Sequence, residues 1–127
     1  MNPEKQKLID LLENKRKLFT DVSDRVWHAA EVRFDLKKSA DLLCDALAQE
    51  GFSIERGICG MKDAFVATCG SGGPVVGILG GYDALPEMSQ VSDAFEKKCE
   101  KEGAGHGCGH QALGAGSLAA AVALKDY

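Results

Sequence analysis

Gly105-His106-Gly107-Cys108-Gly109-His110 sets two imidazoles and a thiol close together, just ahead of a small-residue run at 112–124. Imidazole and thiolate are the donors that zinc and its first-row neighbours favour, and the intervening glycines let a short loop bend until its donors face one ion. If 112–124 is helical, its N-terminus adds positive potential that favours the Cys108 thiolate. So short a pattern also fits a plainer arrangement, a small buried thiol flanked by loop histidines bonded to backbone. A mononuclear zinc site takes three or four protein ligands and a di-metal site more. His28 is the one histidine outside the loop, so a complete site needs acidic partners.

Asp83 is a second-site candidate. It lies in Gly80-Gly81-Tyr82-Asp83-Ala84-Leu85-Pro86, directly after the apolar run 74–79. That run predicts a strand buried on both faces. A carboxylate just past such a strand sits where open α/β sheets place their ligands. An Asp between glycines and a proline is also ordinary turn chemistry. Residues 87–104 are rich in charge and weak in periodicity, which predicts a surface excursion with a short helix near 92–101 that returns the chain to the His/Cys loop.

The elements that must position these residues begin with Asn2-Pro3-Glu4, a cap, a first-turn proline and an acid suited to a helix start. Leu8, Leu11, Leu12, Phe19, Val22, Val26 and Trp27 continue at roughly helical spacing, predicting one long amphipathic helix over 3–30. A second helix is predicted over 35–49, stopped by Gly51. Short strands follow from Phe52 and over 64–68, and the third is the 74–79 run. Gly70-Ser71-Gly72-Gly73 suits a tight turn pairing the second and third strands antiparallel. It is not a phosphate loop, because no Gly-Lys-Ser/Thr follows.

The chain has 127 residues, 45% hydrophobic and 27% charged, within the range of one globular domain with a real core. A net charge of −4 with both signs interspersed argues against nucleic acid or an anionic membrane and favours a small-molecule ligand. No apolar stretch approaches the ~20 residues of a membrane span. The five cysteines, Cys44, Cys59, Cys69, Cys99 and Cys108, form an odd set without Cys-x-x-Cys pairing. Together with a start that lacks an apolar segment, they predict a reducing, cytoplasmic setting. A Cys99–Cys108 disulfide is a minor alternative.

Tyr82-Asp83-Ala84-Leu85-Pro86, followed some twenty residues on by the 105–110 motif, resembles the metal-dependent amidohydrolase and carboxypeptidase family of aminoacylases, hippurate hydrolases and auxin-conjugate hydrolases. The closest likeness is to its aminobenzoyl-glutamate utilisation branch. Trp27-His28-Ala29-Ala30-Glu31, with Arg33-Phe34, and Gly51-Phe52, with Ile54-Glu55-Arg56-Gly57, carry that likeness over nearly the whole chain. The resemblance implies an α/β fold, a three-layer sandwich catalytic domain with two divalent ions, hydrolysing an amide whose product bears a free carboxylate. Residues 1–127 would be its N-terminal portion: two helices, about three strands, the metal loop and a C-terminal helix.

Cys108 and His110 would then be metal ligands, and Asp83 a catalytic-site carboxylate orienting a ligand histidine. The ion could be zinc, manganese, cobalt or nickel. The substrate would be an acyl-amino acid or dipeptide. Gly81 stands where relatives commonly carry an acidic or histidine side chain, and Gln111 where Asp or Asn is usual. The family's general-base glutamate, remaining ligands and lid or dimerisation domain are expected beyond Tyr127. Hydrolysis is therefore expected only when those parts are supplied, the alternative being a non-catalytic metal-binding or interaction remnant. Unpaired strand edges and apolar helix surface would favour a homo-oligomer or a complementing C-terminal partner.

Overall fold

In the computed structural model, which describes residues 2–93 and 102–127, three helices enclose the core and a small sheet flanks it. The elements are α1 (Pro3–Asn14), α2 (Arg16–Ala29), α3 (Lys37–Gln49), β1 (Ser53–Arg56), a 3-10 turn at Ile58–Gly60, β2 (Phe65–Thr68) and α4 (His110–Asp126). Val22 and Val26 from α2, Leu43, Ala46 and Leu47 from α3, and Ala115, Leu118 and Val122 from α4 form the buried cluster. Ile54, Phe65 and Ala67 close it from the sheet side.

Asn2 caps α1 through its side chain, accepting from Glu4 N–H at 2.9 Å, and Pro3 fills the first helical position. The single helix expected over 3–30 is two. Lys15, at φ −115° and ψ 14°, breaks it. The break sends the Lys15 ammonium to Glu50 and to Asp126, the latter at 2.7 Å, tying the α1–α2 corner to the ends of α3 and α4. No residue of α1 is buried, so that helix has no core side chains to hold it in line with α2.

α3 stops where Gly51 predicts. Gly51, at φ +87°, donates to Ala48 C=O at 2.9 Å, and Phe52 N–H reaches Leu47 C=O at 3.0 Å. These are the two bonds of a Schellman end, with Phe52 packed against the core as the accompanying apolar contact. α3 starts without a cap from its own flank. Glu31, eight residues upstream of Ser39, supplies one instead, accepting from Ser39 N–H and Oγ–H, both at 2.8 Å, and from Lys38 N–H at 3.1 Å. The carboxylate lies at the positive end of the helix, where its charge stabilises it.

β1 and β2 pair antiparallel, Ser53 opposite Thr68 and Arg56 opposite Phe65. The third strand expected at 74–79 is not formed. Among the described residues no strand hydrogen bonds to that run, and its side chains face solvent, Val75 being 88% and Leu79 94% exposed. A β-branched run is a strand only where a neighbour completes the ladder, and β2, the expected partner, pairs with β1 alone among the described residues. The described residues thus make an α/β unit of four helices and a two-stranded sheet. The helix expected near 92–101 falls largely outside the described residues, as does Cys99. No helix among those described is long and apolar enough to cross a membrane.

Candidate metal centre

Two short crossings hold Asp83 in place. Ala84 N–H donates to Glu31 C=O at 2.7 Å within a parallel bridge between Val32 and Ala84. Leu85 and Gly105 exchange both backbone bonds, at 2.9 and 3.0 Å. The segment carrying Asp83 is therefore clamped between the end of α2 and the start of the His/Cys loop. Just upstream, Gly80 and Gly81 pass close to α4: a Cβ on Gly80 would sit 2.8 Å from that of Ser117, and one on Gly114 would lie 3.3 Å from Gly81 C=O. Tyr82 follows, its phenol donating to Asp63 C=O, and burial pushes its pKa up to about 12.

The loop glycines have separate steric reasons. A Cβ on Gly105 would fall 2.2 Å from the Met88 carbonyl oxygen, and one on Gly107 would meet the Met88 side chain at 2.4 Å. Gly109, at φ +76°, turns the chain into α4, and its N–H closes the loop on His106 C=O at 3.0 Å. His110 is thereby the first residue of α4.

At that position His110 Nδ1 meets Asp83 Oδ1 at 2.7 Å, the two side chains 29% and 31% exposed. The carboxylate can only accept, so Nδ1 carries the proton and, in the neutral ring, Nε2 is the nitrogen left with a lone pair. Such a pair fixes the tautomer and ring plane of an imidazole that ligates through its other nitrogen. Asp83 and His110, 27 residues apart, are thus brought together. Cys108 is exposed and carries a free thiol, as do the exposed Cys59 and Cys69, and Cys44 is a buried free thiol.

His106 takes the plainer of the two roles the sequence left open for it, a loop histidine bonded to backbone. It is 3% exposed, stacked on Trp27 at 6.1 Å between centroids, and donates through Nε2 to Val26 C=O at 3.1 Å. Burial pushes its pKa below the usual histidine value, and its Nδ1 is buried without a partner among the described residues. It anchors the loop to the last turn of α2. The Gly-His-Gly start of the motif hints at a constrained loop but gives no sign that Trp27 receives the ring. His28, by contrast, is exposed and bonded to Asp24 C=O at 2.6 Å within its own helix.

In kind, a thiol and an imidazole with a free Nε2 suit a first-row divalent ion. In number they are two, and no group of three or more His, Cys, Asp and Glu side chains that could hold an ion is found among the described residues. The residues present fit part of such a centre.

The chain is 40% identical over 119 residues to one subunit of the p-aminobenzoyl-glutamate hydrolase of Escherichia coli (strain K12), a match covering 93% of this chain and 25% of that protein. The chain thus spans about a quarter of the length of this curated relative. No family model matches the sequence.

Proposed function

We propose that this chain contributes part of the metal centre of an amidohydrolase acting on acyl-amino acids of the aminobenzoyl-glutamate type or on dipeptides, with further donors and the general base supplied by polypeptide outside residues 1–127. In this reading the unit described above is one portion of a three-layer α/β catalytic domain. Cys108 Sγ and His110 Nε2 are the donors, and Asp83 sets the imidazole. The observation that carries the proposal is the Asp83–His110 contact at 2.7 Å. The 40% identity to a hydrolase subunit supports the reaction class and the substrate.

A bound divalent ion would supply polarisation of the scissile carbonyl and a water acidic enough to attack it at neutral pH. The chain's own part is orientation. Asp83 accepts the Nδ1 proton and leaves Nε2 as the only lone pair His110 can offer. His106 holds the loop against α2, and Gly105 and Gly107 let it lie against Met88, so Cys108 is presented from a loop fixed at both ends.

A second reading, a module that binds metal without hydrolysis, draws on the two-donor count among the described residues. Cobalt(II) titration of the purified chain, read by thiolate-to-metal absorption and run beside an assay of aminobenzoyl-glutamate cleavage, tests both. Absorption that disappears in Cys108→Ser, with no turnover by the chain alone, is the expected result. Absence of the band in the wild-type chain would overturn the metal role of Cys108, and turnover by this chain alone would overturn the need for further donors.

A further inference from the structure

Both chain neighbours of Asp83 are held by residues whose carboxylates bind the same helix end. On one side, the Tyr82 phenol donates to Asp63 C=O. On the other, Ala84 N–H donates to Glu31 C=O at 2.7 Å. Each of these acceptor residues then turns its side chain to the start of α3. Asp63 Oδ2 accepts from Leu36 N–H at 2.8 Å. Glu31 accepts from Lys38 N–H at 3.1 Å and from Ser39 N–H and Oγ–H, both at 2.8 Å.

The N–H groups of Leu36, Lys38 and Ser39 belong to a first helical turn, where the helix itself offers no acceptor, and α3 has no side-chain cap of its own. Two carboxylates at its positive end make charge-assisted bonds there. Among the described residues, neither the Glu31 nor the Asp63 side chain bonds to Asp83 or His110. The backbone of each is nonetheless one hydrogen bond from a residue flanking Asp83.

We propose that Glu31 and Asp63 are positioning residues of the candidate metal centre. With their carboxylates fixed on the first turn of α3, they hold Ala84 and Tyr82, and so the Asp83 carboxylate that sets the His110 ring. The inference rests on the metal reading for its use, while its geometry stands apart from any ion. Asp83 and His110 Nδ1 meet at 2.7 Å, and a hydrogen bond weakens steeply as its angle closes. Loss of either support lets the carboxylate leave the line of the Nδ1–H bond, and the proton redistributes to Nε2, the nitrogen a ligand must keep free.

Nitrogen-15 spectra of His110 in the metal-free chain, at one pH where the ring is neutral, read the tautomer, and cobalt(II) titration reads its consequence. Asp63→Ala and Glu31→Ala are each expected to raise the Nε2–H share and to weaken cobalt(II) binding by about threefold or more, with unchanged circular dichroism. Should Glu31→Ala not fold, Glu31→Gln, which keeps a single acceptor oxygen, is read in its place with the same expectation. Asp63→Asn, whose amide oxygen still accepts from Leu36 N–H, is expected to restore the wild-type tautomer. Asn2→Ala removes the side-chain cap of α1 and is expected to leave His110 unchanged, which separates positioning from a general loss of stability. An unchanged tautomer in either alanine variant, a smaller loss of affinity, an equal change in Asn2→Ala, or an Asp63→Asn chain that behaves as Asp63→Ala overturns the proposal. A wild-type chain that binds no cobalt(II) overturns the metal reading instead, and the tautomers alone then decide the positioning role.

Discussion

Replacing Asp83 with Asn tests the core of the metal assignment, because it keeps the shape of the side chain and removes its charge. The bond to His110 Nδ1 is 2.7 Å long, in the range of charge-assisted hydrogen bonds. An amide in its place either accepts more weakly through its oxygen or, turned over, presents N–H to Nδ1 and forces the proton onto Nε2. The second state cannot ligate. Loss of an outer carboxylate behind a ligand histidine costs about 10- to 100-fold in metal affinity. With the two side chains 29% and 31% exposed, solvent partly replaces the lost partner, which places this site near the lower bound, about tenfold or ~1.4 kcal/mol. Calorimetric titration with zinc or cobalt gives the affinity, and nitrogen-15 spectra of His110 in the metal-free chain give the tautomer. An affinity within about twofold of the wild type, together with an unchanged Nδ1–H tautomer, would refute the orienting role of Asp83.

Gly105→Ala drives a Cβ into the backbone of Met88, 2.2 Å from its carbonyl oxygen, and is expected to destabilise by about 1–3 kcal/mol in urea unfolding. Gly107→Ala meets only the flexible Met88 methyl end at 2.4 Å and should show a smaller loss in the same assay. Leu118→Ala, at a position 3% exposed between α2 and α3, is expected to cost about 2–5 kcal/mol. The Tyr82 phenol titrates near 10 when unfolded and is raised to about 12 when folded. Its neutral form is the one the fold favours, so this contribution is complete below pH ~10 and is lost as pH rises from ~10 to ~12, amounting to roughly 2–3 kcal/mol. Tyr82→Phe should flatten that alkaline limb, and identical alkaline limbs in the two proteins would count against the buried-phenol account.

What the sequence reveals here is local chemistry, and what it conceals is which distant segment answers it. Asn2-Pro3 and Gly51 set helix ends through residues within a turn of themselves, and both ends form where they are expected. β1 and β2 follow from short runs of strand formers, but their pairing with each other is not the one the sequence suggests, which joins the second strand to the 74–79 run. The break at Lys15 has no such local sign. It is fixed by carboxylates at Glu50 and Asp126, on other helices. The cap on α3 is equally remote, since Glu31 reaches across a loop to Ser39. His106 looks from its motif like a companion of Cys108 and His110, yet its ring is claimed by Trp27 and Val26, some eighty residues upstream. The 74–79 run shows the same rule from the opposite side. Its composition specifies a strand, but a strand is a relation between two segments, and the described chain gives this one a helix and no ladder. Asp83 and His110 are the instructive exception: two residues of complementary type, 27 positions apart, meet at 2.7 Å because the backbone between Leu85 and Gly105 closes on itself. That closure, rather than any property of the motif alone, is what sets the His110 ring against Asp83.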